Sequence, residues 1–495
     1  MDKKVGQMKK NIYSDNLSQY KFHIPAKRLP SSLAQELCSP LWRNIIQSIE
    51  NNDVDAVFKI VEKIGEQKEN LLLPHPFIDN VETFPVTSLR QGMCNFIFFN
   101  DESTKNPWIL CQCTSFIDAI FSETYSGKHK SSANDLVILK AIKTAFKTGK
   151  LNQAKTLCMT KKAVFSGYLL DQTRPYHHFY DQLKWMVHLQ NEQSVVSKRS
   201  FFVPKFFKKR NSITSKQPTY SMFPLVIGSN QLGIKLDKYS DKMEKVVKED
   251  SFKGLRGGIL HYRLNQALYT LKRLTNKNKT LTLWFGVSGE KRMWIEQEDF
   301  LPALVQQLKP WFNSFVFMID GFTQYEDTNY HPVTDCQSKG IIHDLEIVNT
   351  IKKKLLPFSN VSIINLVGKT YRKKIQQCQF ADFFIANAGA GQLVPHRFCK
   401  KQGILHSNEK HCVFSMGIDN ATVKLVDKSL VTDVGNLFAT SEKMKQNKNR
   451  VGLISYSIKE QVVIDMMINM LSLTKQIKPE AAEKTKFDGP VKIPQ

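Results

Sequence analysis

Long apolar runs are missing from this 495-residue chain. The longest, FIFF and LTLWFGV, fall far short of the roughly 18 to 20 residues a membrane span needs. The amino terminus, MDKKVGQMKKNIYSDN, is charged with no apolar core behind it, so no secretory signal is expected and the chain is placed in the cytoplasm. The nine cysteines are odd in number and irregular in spacing, which fits reduced buried thiols rather than a disulfide framework. Cys111 and Cys113 are close, but no second Cys or His pair lies at finger-like spacing, so a zinc site is not expected. No repeat of fixed period is visible. Acidic residues are the scarce charge, 45 against 70 Lys and Arg.

What is present is globular: 42% apolar residues and 11% aromatics. The length exceeds one hydrophobic core, so two domains are expected. The net charge of +25 calls for an anionic partner, whether nucleic acid, an acidic membrane surface, a nucleotide diphosphate or an acidic polysaccharide. The densest basic stretch, residues 198–216, interleaves Lys198, Arg199, Lys205, Lys208, Lys209 and Arg210 with Phe201, Phe202, Phe206 and Phe207. It reads as a strand and loop with its phenylalanines in the core, or as a patch for the inner membrane surface. Asp53 and Asp55 form a D-x-D at a helix start, where acids favour the helix dipole more often than they bind metal.

From about residue 255, β-rich runs alternate with helical periodicity: 281–287, 314–320, 361–367, 381–386, 403–407 and 451–457. Alternation of this kind implies a parallel, doubly wound sheet. The amino-terminal half opens with helical segments and continues as a less regular α/β domain, with strands expected at 163–171 and 223–229. The expected division is 1–250, 251–475 and a loose tail, 476–495.

Ligands of open parallel sheets bind outside the carboxyl ends of the strands. The residues there are SGEKRMWIEQ after the first run, then GFTQYED, GKTYRKK, NAGAGQ and NEKH. Gly389 and Gly391 suit a tight turn and close main-chain approach, with a helix from Gln392 aimed at a phosphate. The same turn also suits simple packing of helix on strand. GKT at 368–370 is no P-loop, because the glycine needed five positions earlier is Ile363. The G-A-G lacks the third glycine of a nicotinamide fingerprint, Val394 standing there.

The order strand, GKT, short helix, AD-apolar-apolar, NAGAG, helix, G-apolar-apolar-H resembles the donor-binding half of two-Rossmann, GT-B type glycosyltransferases of bacterial capsule and surface-polysaccharide synthesis. WFGVSGEKRMWIEQ and TRPYHHFYDQL are similar to segments of that group, and the resemblance covers about residues 160 to 470. It implies α/β architecture with two Rossmann-like domains facing a cleft, extra amino-terminal helices, and transfer of sugar from a nucleotide-sugar to a glycan or lipid-linked glycan. No cofactor or metal is expected. By position it assigns Gly389, Gly391 and Arg292 to the donor diphosphate, with Glu290, Lys291, Lys369, Asn387, Ala390, Gln392 and His406 around it. Asp320 is the candidate for ribose or sugar hydroxyls, or else a helix cap. His177 is the candidate base, with His178 and Asp181 beside it; a helix-start histidine with a satisfied ring is the plainer alternative. The competing functions are a basic nucleic-acid-binding protein and a polysaccharide-assembly partner without catalysis.

Overall fold

The computed structural model describes residues 36–51, 53–113, 116–122, 126–128, 135–148, 161–170, 174–189, 194–196, 200–209, 218–224, 237–261, 263–264, 267–268, 279–289, 291–326, 336–412, 422–437 and 451–473. The expected loose tail lies outside them. The chain is mixed α/β and divides into two compact units, Met1–Met243 and Glu244–Gln495, so the division falls inside the helix Asp237–Asp250.

The first unit begins with the expected helices Pro40–Glu50 and Val54–Glu66. Asp53 caps the second through Ala56 N, and Asp55 accepts from the Tyr239 hydroxyl, so both acids have structural work. Next comes an antiparallel meander that sequence reasoning did not anticipate: β1 (Leu73–Pro74), β2 (Glu82–Gln91), β3 (Cys94–Asn100), β4 (Trp108–Gln112), β5 (Ala119–Ser122) and β6 (Ser126–Lys128). Every residue of β3, β4 and β5 is buried, so the polar-apolar alternation that announces a half-solvated strand is absent. One face packs Phe96, Phe98, Ile109 and Phe121 against Ile138 and Ile142 of the helix Asp135–Lys147. On the other, Trp108 stacks on Phe99 at 4.2 Å and meets the edge of Trp42 at 5.5 Å.

A second, four-stranded sheet follows, all parallel, in the order β10-β7-β8-β9. Its strands are β7 (Val164–Leu169), β8 (Ser194–Val196), β9 (Lys208–Lys209) and β10 (Thr219–Met222). β7 matches the strand expected at 163–171. β10 precedes the run expected at 223–229, of which residues 225–229 lie outside the described part.

The second unit holds a six-stranded parallel sheet: β11 (Thr280–Gly286), β12 (Ser314–Asp320), β13 (Val361–Asn365), β14 (Phe383–Asn387), β15 (Gly403–His406) and β16 (Val423–Leu425). Their order is β13-β12-β11-β14-β15-β16, the doubly wound 3-2-1-4-5-6 arrangement. Five of these strands fall on expected runs. The sixth is β16, whereas the run at 451–457 yields β18 (Ser455–Ser457), antiparallel to β17 (Thr432–Gly435) outside that sheet. The helices Gln297–Leu308, Cys336–Leu355, Tyr371–Cys378 and Glu460–Leu473 complete the unit. Phe285, Phe300, Leu304, Phe317, Val348, Ile351, Ile464 and Met467 are fully or almost fully buried in its core.

Candidate functional site

The strand order reverses between β11 and β14, the switch point at which open sheets of this order bind ligands, outside the carboxyl ends of their strands. The loop after β11 is built tightly. Ser288 Oγ donates to Lys291 O at 2.6 Å, while Gln297 accepts from Ser288 N and donates to Ser288 O. Asp344, on the helix Cys336–Leu355, accepts from Gly289 N and from Phe322 N, both at 2.6 Å, and so ties the loops after β11 and β12 together. Beyond Arg292 the chain is fastened to β18: Tyr456 N donates to Met293 O, and Ile295 N donates to Tyr456 O, each at 3.0 Å.

Arg292 itself has φ +51°, a left-handed backbone that costs a side-chain-bearing residue about 1 to 2 kcal/mol. That conformation places its guanidinium over Gly389. A Cβ at Gly389 would stand 2.8 Å from Arg292 Nη2 and 3.1 Å from Nη1, so only glycine admits the guanidinium this closely. Two of the three residues given the diphosphate are thus side by side at the switch point. Gly391 is different: a Cβ there would meet Asn387 Cβ at an ordinary 3.6 Å. The helix expected from Gln392 is a 3₁₀ turn, Ala390–Gln392, leading into a π-turn, Leu393–Phe398.

The ends of β14 and β15 add polar atoms. Asn387 Nδ2 donates to Arg292 O at 3.3 Å and to the Tyr456 hydroxyl at 3.0 Å. That hydroxyl lies 2.7 Å from His406 Nδ1; since its oxygen already accepts from Asn387, its proton is assigned to His406, which puts the ring proton on Nε2. Burial holds His406 neutral, lowering its pKa to about 3, and packs its ring 4.9 Å from Trp294. Asn387 Oδ1, His406 Nε2 and Ser407 Oγ are buried without hydrogen-bond partners. His411, 2.8 Å from Asn408 Oδ1, is lowered to about 4 by burial and by the Arg292 charge.

Other expected residues stand apart from this junction. Asp320 is buried and ion-paired to the buried Lys374 at 2.5 Å, and Lys374 also donates to Gly321 O and Thr323 Oγ1. The Asp320 carboxylate is therefore occupied within the protein. Lys369 is exposed after β13, three strands from β14, or roughly 14 Å at the usual strand spacing. Gln392 is buried with its Oε1 2.9 Å from His396 Nδ1. Lys291 is half-buried in the same loop as Arg292, Ala390 flanks Gly389, and Glu290 lies outside the described residues. Tyr456, His411 and Asp344 were missed. Tyr456 was assigned to a core strand, and only its bridge to Trp294 brings it to the site.

In the first unit, His177 follows β7 on a short α-turn, Pro175–His177, that continues as a π-turn, His178–Leu183. Its Nδ1 lies 2.5 Å from Asp181 Oδ2; His177 is partly exposed and Asp181 buried. His178 is enclosed, with Nε2 2.8 Å from Phe202 O and a pKa lowered to about 4 by burial. Phe201, Phe202 and Phe207 are buried, and Phe206 is 37% exposed. The basic-aromatic stretch therefore follows the reading with its phenylalanines in the core; residues 197–199 and 210–217 lie outside the described part.

Cys38, Cys94, Cys111, Cys113, Cys378, Cys399 and Cys412 are free, and all but Cys38 are buried. Among the described residues no helix is long and apolar enough to cross a membrane, and no group of three His, Cys, Asp or Glu is placed to hold a metal. Comparison with protein-family models and with curated proteins finds no match for this chain.

Proposed function

We propose that the second unit binds the diphosphate of a nucleotide-sugar at the junction where Arg292 packs on Gly389, and that the chain is a GT-B type glycosyltransferase acting on a cell-surface glycan. The observation that carries the reading is the left-handed Arg292 with its guanidinium over Gly389 at the switch point of a 3-2-1-4-5-6 sheet. Strained backbone of this kind persists where the surroundings impose it, and clusters at functional sites. A guanidinium grips two phosphate oxygens at once. The buried Asn387 Oδ1 and His406 Nε2 offer an acceptor and a donor to a polar ligand at the ends of adjacent strands.

In this mechanism the bond from the anomeric carbon to the diphosphate breaks as the acceptor oxygen bonds to that carbon. The electron pair leaves on the diphosphate, whose added charge Arg292 stabilises. The acceptor proton passes to a general base; the first unit offers His177 for that role, its ring oriented by Asp181 at Nδ1. Both parallel sheets support the two-Rossmann reading, the smaller repeating the 3-2-1-4 order of the larger.

The test is a panel of nucleotide-sugars and free nucleoside diphosphates against the wild type and Arg292→Ala, read by thermal shift and calorimetry. Stabilisation of the wild type alone is expected. No shift with any donor would sink the enzyme reading, and binding without turnover on any acceptor would favour the non-catalytic assembly partner.

A further inference from the structure

Residues 251–289 contain no Asp or Glu, yet include Lys253, Arg256, Arg263, Lys272, Arg273, Lys277 and Lys279. The helix Asp237–Asp250 ends just before this acid-free stretch, and Gly254, Gly257 and Gly258 follow with φ +80°, +76° and +55°. Gly257 has no substitute, since a Cβ there would lie 2.4 Å from His261 Cβ. These turns set a new direction, and residues 258–261, 263–264 and 267–268 are helical along it.

The new helix faces solvent with its apolar side. Leu260, Leu264 and Leu268, spaced four apart and hence on one face, are 65%, 56% and 54% exposed. His261, Arg263 and Ala267 are exposed as well. Single exposed leucines are ordinary on protein surfaces, but three at helical spacing, each at a residue of helical conformation, form a stripe that water covers at a cost.

We propose that this face lies on an anionic lipid surface, Leu260, Leu264 and Leu268 entering the acyl boundary and the exposed Arg256 and Arg263 meeting the headgroups. An apolar stripe edged by cations, with no acid near it in sequence, is the pattern of interfacial helices. Charge selects this occupant. A second copy would bring the same acid-free stretch and the same net charge of +25 against it. Nucleic acid would meet the cations but has nothing for the leucines to bury against. The attachment is independent of glycosyl transfer, and it relocates membrane contact from 198–216, whose phenylalanines are mostly buried.

The experiment is flotation of the full-length protein with vesicles of phosphatidylcholine, alone or mixed with phosphatidylglycerol. The wild type floats with the mixed vesicles only. The triple change Leu260→Ser, Leu264→Ser, Leu268→Ser lowers the bound fraction about tenfold with unchanged thermal melting, because each leucine is already exposed. The pair Arg256→Gln and Arg263→Gln weakens binding and its salt dependence, whereas Lys205→Gln with Lys208→Gln leaves it as it was. Wild type that stays with the pellet, or a triple variant that floats equally well, overturns the proposal. So does retention on an oligonucleotide that the arginine pair abolishes and the leucine changes spare, or a dimer in sedimentation that the leucine changes disperse.

Discussion

At Arg292 a backbone penalty and a charged contact coexist, so the two can be separated by substitution. Arg292→Ala should melt within a few degrees of the wild type yet lose on the order of 2 to 4 kcal/mol of transition-state stabilisation, the scale of a removed charge-stabilising donor. Arg292→Lys should restore only part, because an ammonium lacks the planar fork. Gly389→Ala displaces the guanidinium end rather than packed backbone, so donor affinity should fall about tenfold, or about 1.4 kcal/mol, with little change in stability. Gly391→Ala, with ordinary contact distances, should bind as the wild type does. Steady-state kinetics of the two Arg292 variants and calorimetric titration of the two glycine variants check the set. His406 belongs to the same scale: its folded pKa of about 3 lies below the usual 6.5, so its contribution is present above 6.5 and is lost as pH falls toward 3. Replacing it with Asn should make the loss of stability between those limits shallower by up to one proton, about 1.4 kcal/mol per pH unit. Denaturant midpoints across that range give the slope.

Between elements, a buried ion pair and a buried carboxyl group hold the strand-end loops. Lys374, from the helix Tyr371–Cys378, meets Asp320 at the end of β12 and caps the carbonyls beyond it. Removing one partner of a buried pair strands the other, so Lys374→Met should cost about 3 to 5 kcal/mol. Asp344 anchors the neighbouring loop that carries Arg292, and burial raises its pKa from 3.8 to about 7. Between those values the folded chain holds a proton that the unfolded chain has released. The resulting stability is therefore full below 3.8 and disappears as pH rises through 7. Asp344→Asn should flatten this dependence, and because an amide offers one acceptor oxygen where two backbone amides donate, it should cost about 1 to 3 kcal/mol. Equilibrium unfolding at several pH values measures both effects.

For the whole molecule, the division within the helix Asp237–Asp250 matters more than its 14 residues suggest. Its second half supplies carboxylates to the second unit: Glu244 pairs with Arg397 and Lys400, and Asp250 with Arg372, both acids almost wholly buried. A fragment starting at residue 251 would lose both acids, leaving Arg372 with Glu326 alone of its two carboxylates. It should be several kcal/mol less stable than one starting at residue 237, since each lost buried partner costs about 3 kcal/mol or more. Urea unfolding of the two fragments would show it, and equal midpoints would mean these pairs are dispensable.

The doubly wound sheet was legible because its signals are local. LTLWFGV and SFVFMID are apolar runs of strand length, separated by helical periodicity, and glycines and cations follow them. Arg292 and Gly389 could be named from their positions in those loops. Their contact could not, because it depends on β14 lying beside β11 across about a hundred intervening residues. Pairing likewise decided that β16, and not the run at 451–457, closes the sheet, and that Asp320 is taken by Lys374. The antiparallel sheet of the first unit was hidden for the opposite reason: with both faces covered, its strands carry no alternation. Phenylalanines at 201, 202 and 207 and leucines at 260, 264 and 268 read alike in a sequence, as apolar residues suited to a core. Only the packing of distant elements buries the first group and leaves the second in water, since burial is a property of what covers a side chain and not of the side chain itself.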